Sequence, residues 1–251
     1  MMLSRIIVSG EGATDFGEAK NEQPIATNDD FEKGPLFLLL LKLIDQHLPE
    51  WNKDQELIKI FIYRKVLGDL AKDSPVRLPS KDKATKGHLE HTKRAYALAL
   101  KAKEISAAHD DHIAVYFHDT DGTQAELLRE PDRQENRVAA INLGFATAAY
   151  QTGVAMVPKP TSEAWLYCSC KVNPYQHCQR IEIDLSGNNC SPERSPKIVL
   201  ASAIGAENTN RVNLSTVVEQ LDVTKIDMPS FNQFRKDLKA AIRKVCGSVE
   251  E

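Results

Sequence analysis

The chain has no apolar run long enough to cross a membrane. The longest, Pro35 to Leu41, is far short of the ~20 residues that a bilayer demands. It also lacks an excess of either charge. The net charge of -3 argues neither for nor against a nucleic-acid partner, because local patches decide that question. Neither GxGxxG nor GxxxxGK[ST] occurs, which excludes the common glycine-rich phosphate loops. There is no repeat and no low-complexity tract. Cysteine is sparse and odd in number, with five residues (Cys168, Cys170, Cys178, Cys190 and Cys246) and no signal peptide ahead of them. A reduced, cytoplasmic protein is the expectation. With 42% apolar residues in 251, the chain can bury a normal core as one large domain, or as a domain with an appendage.

The most informative stretch runs from Ile113 to Gly122, IAVYFHDTDG. Its apolar half reads as a buried strand closed by a turn signal. In an open parallel sheet, ligands gather just past the carboxyl ends of the strands. Asp119 and Asp121 stand one residue apart at such an end. Two carboxylates so placed repel unless a proton or cation lies between them, and Mg²⁺ and Mn²⁺ favour oxygen ligands. The plain alternative is a solvated turn in which Asp119 caps the next helix.

The other strand ends bear on that choice. Arg5 to Ser9 is a short apolar strand that runs into Gly10-Glu11-Gly12, which sets Glu11 at a second strand end. Asp15 and Glu18 follow closely and could add ligands, though both read by default as surface acids. Residues 19–30 read as a loop and Phe31 to Leu48 as a helix, buried or covered by a partner. Leu57 to Tyr63 is a strand by its β-branched and aromatic content. Residues 68–85 read as a loop and Lys86 to Ala108 as a long helix. Arg77, Lys81, Lys83, Lys86, Lys93, Arg94, Lys101 and Lys103, with His88 and His91, make this region locally basic. It is a candidate phosphate-holding cluster, against the plainer reading of a solvated helix face.

Arg133 to Tyr150 is helical. Val154 to Val157 is a fourth strand, followed by Pro158-Lys159-Pro160 and then Thr161-Ser162-Glu163-Ala164-Trp165-Leu166. Thr161 or Ser162 can cap the helix that starts there. Glu163 falls in its first turn, either as a surface acid that suits the helix dipole or as a further metal ligand. The remainder reads as helices over Pro196 to Ile204, Ser215 to Leu221 and Phe231 to Val245, with no visible chemistry.

The alternation predicts an α/β fold, a mostly parallel four-stranded sheet with helices on both faces and a C-terminal helical extension. Residues 1–170 form the expected core, and residues 171–251 a loop-rich segment with helices packed on it. In the common doubly wound order the first and third strands are neighbours, so Glu11 and the Asp119/Asp121 pair face one ion from two sides.

These residues resemble the Toprim superfamily, which pairs a glutamate after its first strand with a DxD after its third. Ile7-Val8-Ser9-Gly10-Glu11-Gly12 and His118-Asp119-Thr120-Asp121 match that pattern. The chain looks most like small bacterial Toprim-like proteins encoded beside an ABC-type ATPase and related to the OLD-family nucleases. Glu11 to Asp15 matches their EGxTE or EGxTD start, and Ser162 to Leu166 matches an acidic residue after the fourth strand. The resemblance covers roughly the first two-thirds of the chain. It implies a Mg²⁺- or Mn²⁺-dependent endonuclease acting on DNA or RNA, tRNA included, as the effector of an ATPase-controlled anti-phage system. Glu11, Asp119, Asp121 and Glu163 would hold the metal, with Glu11 as an alternative general base, and Lys159 would neutralise the phosphate. The implied partners are nucleic acid and the ATPase, with room for a homo-oligomer and none for a membrane. The rival reading is a non-catalytic Toprim-like subunit that docks on an ATPase.

Cys168, Cys170, His177, Cys178 and Cys190 share one loop-rich stretch. Zinc takes four such ligands, but this spacing matches no common zinc module, and unbound reduced cysteines are the expectation.

Overall fold

The computed structural model describes residues 2–12, 15–20, 23–53, 56–76, 87–107, 109–121, 129–187 and 191–247. Gly122, Cys190, and the basic residues Arg77, Lys81, Lys83 and Lys86 lie outside them.

The fold is α/β. β1 (Arg5–Gly10), β5 (Ile58–Ile62), β6 (His112–Phe117) and β7 (Gly153–Met156) form the parallel part of a five-stranded sheet. β3 (Ile25–Thr27) adds an antiparallel edge on β5, giving the order β3-β5-β1-β6-β7. The four-strand expectation is therefore short by one edge strand. β2 (Gly17–Ala19) and β4 (Phe31–Lys33) make a separate antiparallel pair. Residues 19–30 are thus partly strand, and Phe31 precedes the first helix. The strands are three residues long, too short for a period-2 pattern to show.

Helices follow as α1 (Pro35–His47), α2 (Glu50–Lys53), α3 (Arg64–Lys72), α4 (Leu89–Ile105) and α5 (Arg133–Thr147). Then come α6 (Ser162–Cys170), α7 (Ile181–Asp184), α8 (Pro196–Ala203), α9 (Arg211–Gln220) and α10 (Pro229–Cys246). The second half of α3, from Gly68 on, occupies residues that read as loop, because its strongly charged face hides a narrow apolar one at Leu67 and Ala71.

Side chains alternate across the sheet as period 2 demands. Ile6, Val8, Ile113, Val115, Phe117, Val154 and Met156 face a core completed by α1 and the C-terminal helices. Ile7, Ile60, Ile62, Ala114, Tyr116 and Ala155 face a second core completed by α3, α4 and α5. Residues beyond 170 therefore share the first core. The apolar block Pro35 to Leu41 sits in α1, where α9 and α10 pack against it. The chain's own C-terminal helices cover a surface that had suggested a docked partner.

Candidate functional site

Parallel pairing of β1 with β6 ends with Gly10 opposite Phe117. Glu11 and His118 therefore leave the sheet side by side. The parallel strands run β5-β1-β6-β7, so the chain reverses its winding direction between β1 and β6. A crevice at such a switch point is where α/β sheets bind ligands.

Two loops are stitched together above this point. The His118 and Thr120 amides donate to the Met156 and Pro158 carbonyls at 3.1 Å each, and the Thr120 hydroxyl donates to the Pro158 carbonyl as well. The stitching brings α6 against the Asp119 loop. Thr161 is the N-cap residue of α6, yet its hydroxyl makes no capping bond. The Ser162 amide instead donates to Asp119 Oδ1 at 2.9 Å. Asp119 thus caps a helix, but the helix is α6, far along the chain and not the next one.

Glu163 is not a surface acid. It is 1% exposed, and its Oε2 is buried with no hydrogen-bond partner. Its Oε1 lies 3.7 Å from Lys197 Nζ at the start of α8. Trp165, one turn inside the core, holds α6 in place. Its indole donates to Ser230 Oγ at 2.8 Å, stacks on Phe234 and meets Phe231 edge-on.

Asp15 is drawn in by the turn at Gly12, whose φ of +81° suits glycine. A Cβ on Gly12 would meet the Asp15 carboxylate at 2.5 Å. Burial, then the charge of Glu163, pushes the Asp15 carboxyl up to about 6, with Lys197 opposing. Burial also raises the Asp119 carboxyl well above its usual range, helped by Glu163, Asp15, Glu11 and Asp121 in that order. These five acids therefore share one electrostatic neighbourhood.

Glu11 sits differently. Its Oε1 lies 2.8 Å from His118 Nδ1, and its Oε2 accepts from Arg64 at 3.0 Å. Burial pushes this carboxyl up, but the hydrogen bond and charge of His118, with Arg64 and Arg137, outweigh burial and hold it below the usual range. Arg137 also donates to the Asp119 main-chain carbonyl. Lys159 precedes a cis proline, and its charge acts on Glu182. Lys197 lies beside Glu163.

Of the residues the sequence singled out, Glu11, Asp121 and Glu163 all act electrostatically on Asp119, as does Asp15, and Lys197, His118, Arg64 and Arg137 lie against this group. Asp15 carried a signal in the EGxTD stretch. Lys197 carried none, since only tertiary packing of α8 on α6 brings it near. An all-oxygen set of acids, with Asp15 and Asp119 raised and one orphaned carboxylate oxygen on Glu163, fits a hard divalent cation such as Mg²⁺ or Mn²⁺. Among the described residues no three His, Cys, Asp or Glu side chains already converge as a metal-binding group. Glu11 is turned toward its basic partners.

The cysteines depart from expectation. Cys168 and Cys178 form a disulfide, because the turn after α6 brings their Cα atoms to 5.4 Å. Those two sulfurs are bonded to each other and offer zinc no thiolate. Cys170 remains a half-buried thiol.

No family model, curated protein or solved structure matches the chain. No helix among the described residues is long and apolar enough to cross a membrane.

Proposed function

We propose that this protein hydrolyses phosphodiester bonds in nucleic acid, assisted by Mg²⁺ or Mn²⁺, at the carboxylates gathered past β1, β6 and β7. The observation that carries this reading is the group Asp15, Asp119 and Glu163, in which Glu163 is buried and, among the described residues, Lys197 is its ion-pair partner at 3.7 Å. Two raised acids, Asp15 and Asp119, beside a Glu163 oxygen without a hydrogen-bond partner are poised to take up positive charge.

Asp119, Asp121, Glu163 and Asp15 would hold the ion. When bound, it would supply Lewis-acid polarisation of the phosphate and a more acidic water. The chain's own groups do the rest. Glu11, kept ionised by His118 and Arg64, would accept a proton from the attacking water once one of these partners turns away. His118 fixes the direction in which that carboxylate points. Lys197, 60% exposed at its side chain, can turn from Glu163 to a phosphate oxygen. The α6 N-terminus keeps Asp119 in one orientation through the Ser162 amide.

The anti-phage setting and an ABC-type ATPase partner rest on the Toprim resemblance alone. The apolar α1 face no longer supports a docked ATPase. A second reading, a non-catalytic Toprim-like subunit, draws on Glu11 being committed to His118 and Arg64. The test is cleavage of labelled DNA and RNA by the purified chain in Mn²⁺ or Mg²⁺, beside EDTA and Asp119→Asn controls. Metal-dependent products from the wild type alone support hydrolysis. Equal traces from wild type and variant defeat it.

A further inference from the structure

Helices α3 and α4 pack side by side and leave between them a groove of about 590 Å³. Five cations line it: Arg64, Lys65, Lys72, Lys93 and Arg94. Its two carboxylates are already engaged. Asp69 takes Lys72 at 2.8 Å, and Glu90 takes Arg94. Among the described residues, Lys65 and Lys93 have no ion-pair partner. Arg94 is 13% exposed at its side chain, pairs with Glu90 and also hydrogen-bonds Tyr116 behind the groove. The groove therefore holds more donors than its own acids satisfy.

Its position gives it a direction. Arg64 lines one end of the groove and donates to Glu11 at 3.0 Å. A single side chain thus joins the groove to the carboxylates. Gly68 also lines it, and an added Cβ there would meet only Arg94 Nη2 at 4.0 Å. Space is left open between the basic walls. Arg64 and Lys72 stand eight residues apart on α3, ~12 Å along the axis at 1.5 Å per residue. One phosphate group cannot span that distance, whereas a polynucleotide strand presents a phosphate at each nucleotide.

We infer that the α3–α4 groove carries the phosphodiester backbone of a nucleic-acid strand to the carboxylate site, with Lys65, Lys93 and Arg94 as phosphate contacts. This rests on the proposed hydrolysis and names the path its substrate takes. The backbone chemistry is common to DNA and RNA, and polar contacts to phosphate position a strand without reading its sequence.

The experiment uses the full chain, with Gly68→Glu and the double variant Lys65→Glu/Lys93→Glu, and Gly68→Ala as an uncharged control. Binding of short fluorescent single-stranded DNA and RNA is read by anisotropy in EDTA over a salt series. Hydrolysis of a small diester, bis(p-nitrophenyl) phosphate, is read in Mn²⁺ and needs no groove. Circular dichroism checks folding. The expected result is an affinity loss of about tenfold or more in the glutamate variants, with a salt slope shallower by about 0.7 per lost contact. Gly68→Ala binds as the wild type, and small-diester turnover stays constant across all variants. The polymer that binds more tightly is the one the groove serves.

Unchanged affinity and slope in both glutamate variants would overturn the groove, as would a wild type that binds neither polymer at low salt. Small-diester turnover with unaltered binding in the variants leaves hydrolysis standing and removes the groove. Lost binding in the variants, with no turnover of the small diester by any form, keeps the groove and removes hydrolysis.

Discussion

The two flanks of Asp119 handle negative charge in opposite ways. On the β1 flank, Glu11 is met by His118 and Arg64, and its carboxyl lies below the usual range. On the α6 flank, Asp15 rises to about 6 and Glu163 keeps one oxygen without a partner. Each flank is largely buried, so desolvation alone does not separate them. The difference is counter-charge: histidine and arginines on one flank, one lysine at 3.7 Å on the other. A buried acid left unmatched costs stability, and such costs persist chiefly where function uses them.

The sharpest way to break the contrast is to neutralise the acid between the flanks. Asp119→Asn keeps an oxygen that can accept from the Ser162 amide, so the fold should survive by circular dichroism. Metal-dependent cleavage should fall by more than about 100-fold, beyond the 10–100-fold typical of losing an outer partner. Retained cleavage would remove Asp119 from the site.

Asp15→Asn tests the uncompensated flank through pH. The folded state holds the Asp15 proton up to about 6, above the ordinary 3.8. Native protein therefore binds more protons than unfolded protein in that window, and stability is lost as pH rises through it. The variant should match the wild type below about pH 4 and exceed it by on the order of 2–3 kcal/mol above about pH 7, in EDTA. Comparing the two forms matters, because His47, pushed down to about 4 by burial and nearby Lys239, Arg235 and Arg243, gives both an opposite trend. Adding Mn²⁺ should shrink the gap. Parallel stability curves across pH would contradict the assignment.

Glu163→Gln removes the charge that holds its neighbours up. Without metal, its Tm should rise by about 2–4 °C, as expected for roughly 1 kcal/mol in a chain of this size. The Tm increase that Mn²⁺ gives the wild type should vanish. A Glu163→Gln protein that Mn²⁺ still stabilises as strongly as the wild type would reduce Glu163 to a structural acid.

Arg64→Gln, on the compensated flank, should do least. The pair with Glu11 is 43% exposed on the arginine side, and exposed pairs contribute about 0.2–1 kcal/mol. A denaturant midpoint shifted by more than that would show Glu11 to be as strained as Asp15.

Much of this was legible in residue order. The apolar runs at β1, β5, β6 and β7 are buried on both faces, so they announce themselves as strands. Their alternation with helices sets the parallel sheet and its switch point, which delivers Glu11 beside the Asp119 loop. β2, β3 and β4, at three residues each, are too short to leave a period. The disulfide was illegible because sulfur pairing follows from where α6 ends in space.

What only tertiary structure decided is which acids are paired and which are not. His118 is adjacent to Asp119 in sequence and meets its main-chain carbonyl, but the carboxylate it pairs with is that of Glu11, more than a hundred residues away. Lys197 reaches Glu163 only because α8 packs on α6, and Asp119 caps α6 because the β6 and β7 loops are bonded together. Local sequence determines what a strand end carries, since period and turn chemistry act over a few residues. Charge balance depends on distances and burial, and these arise only when remote segments close around one another.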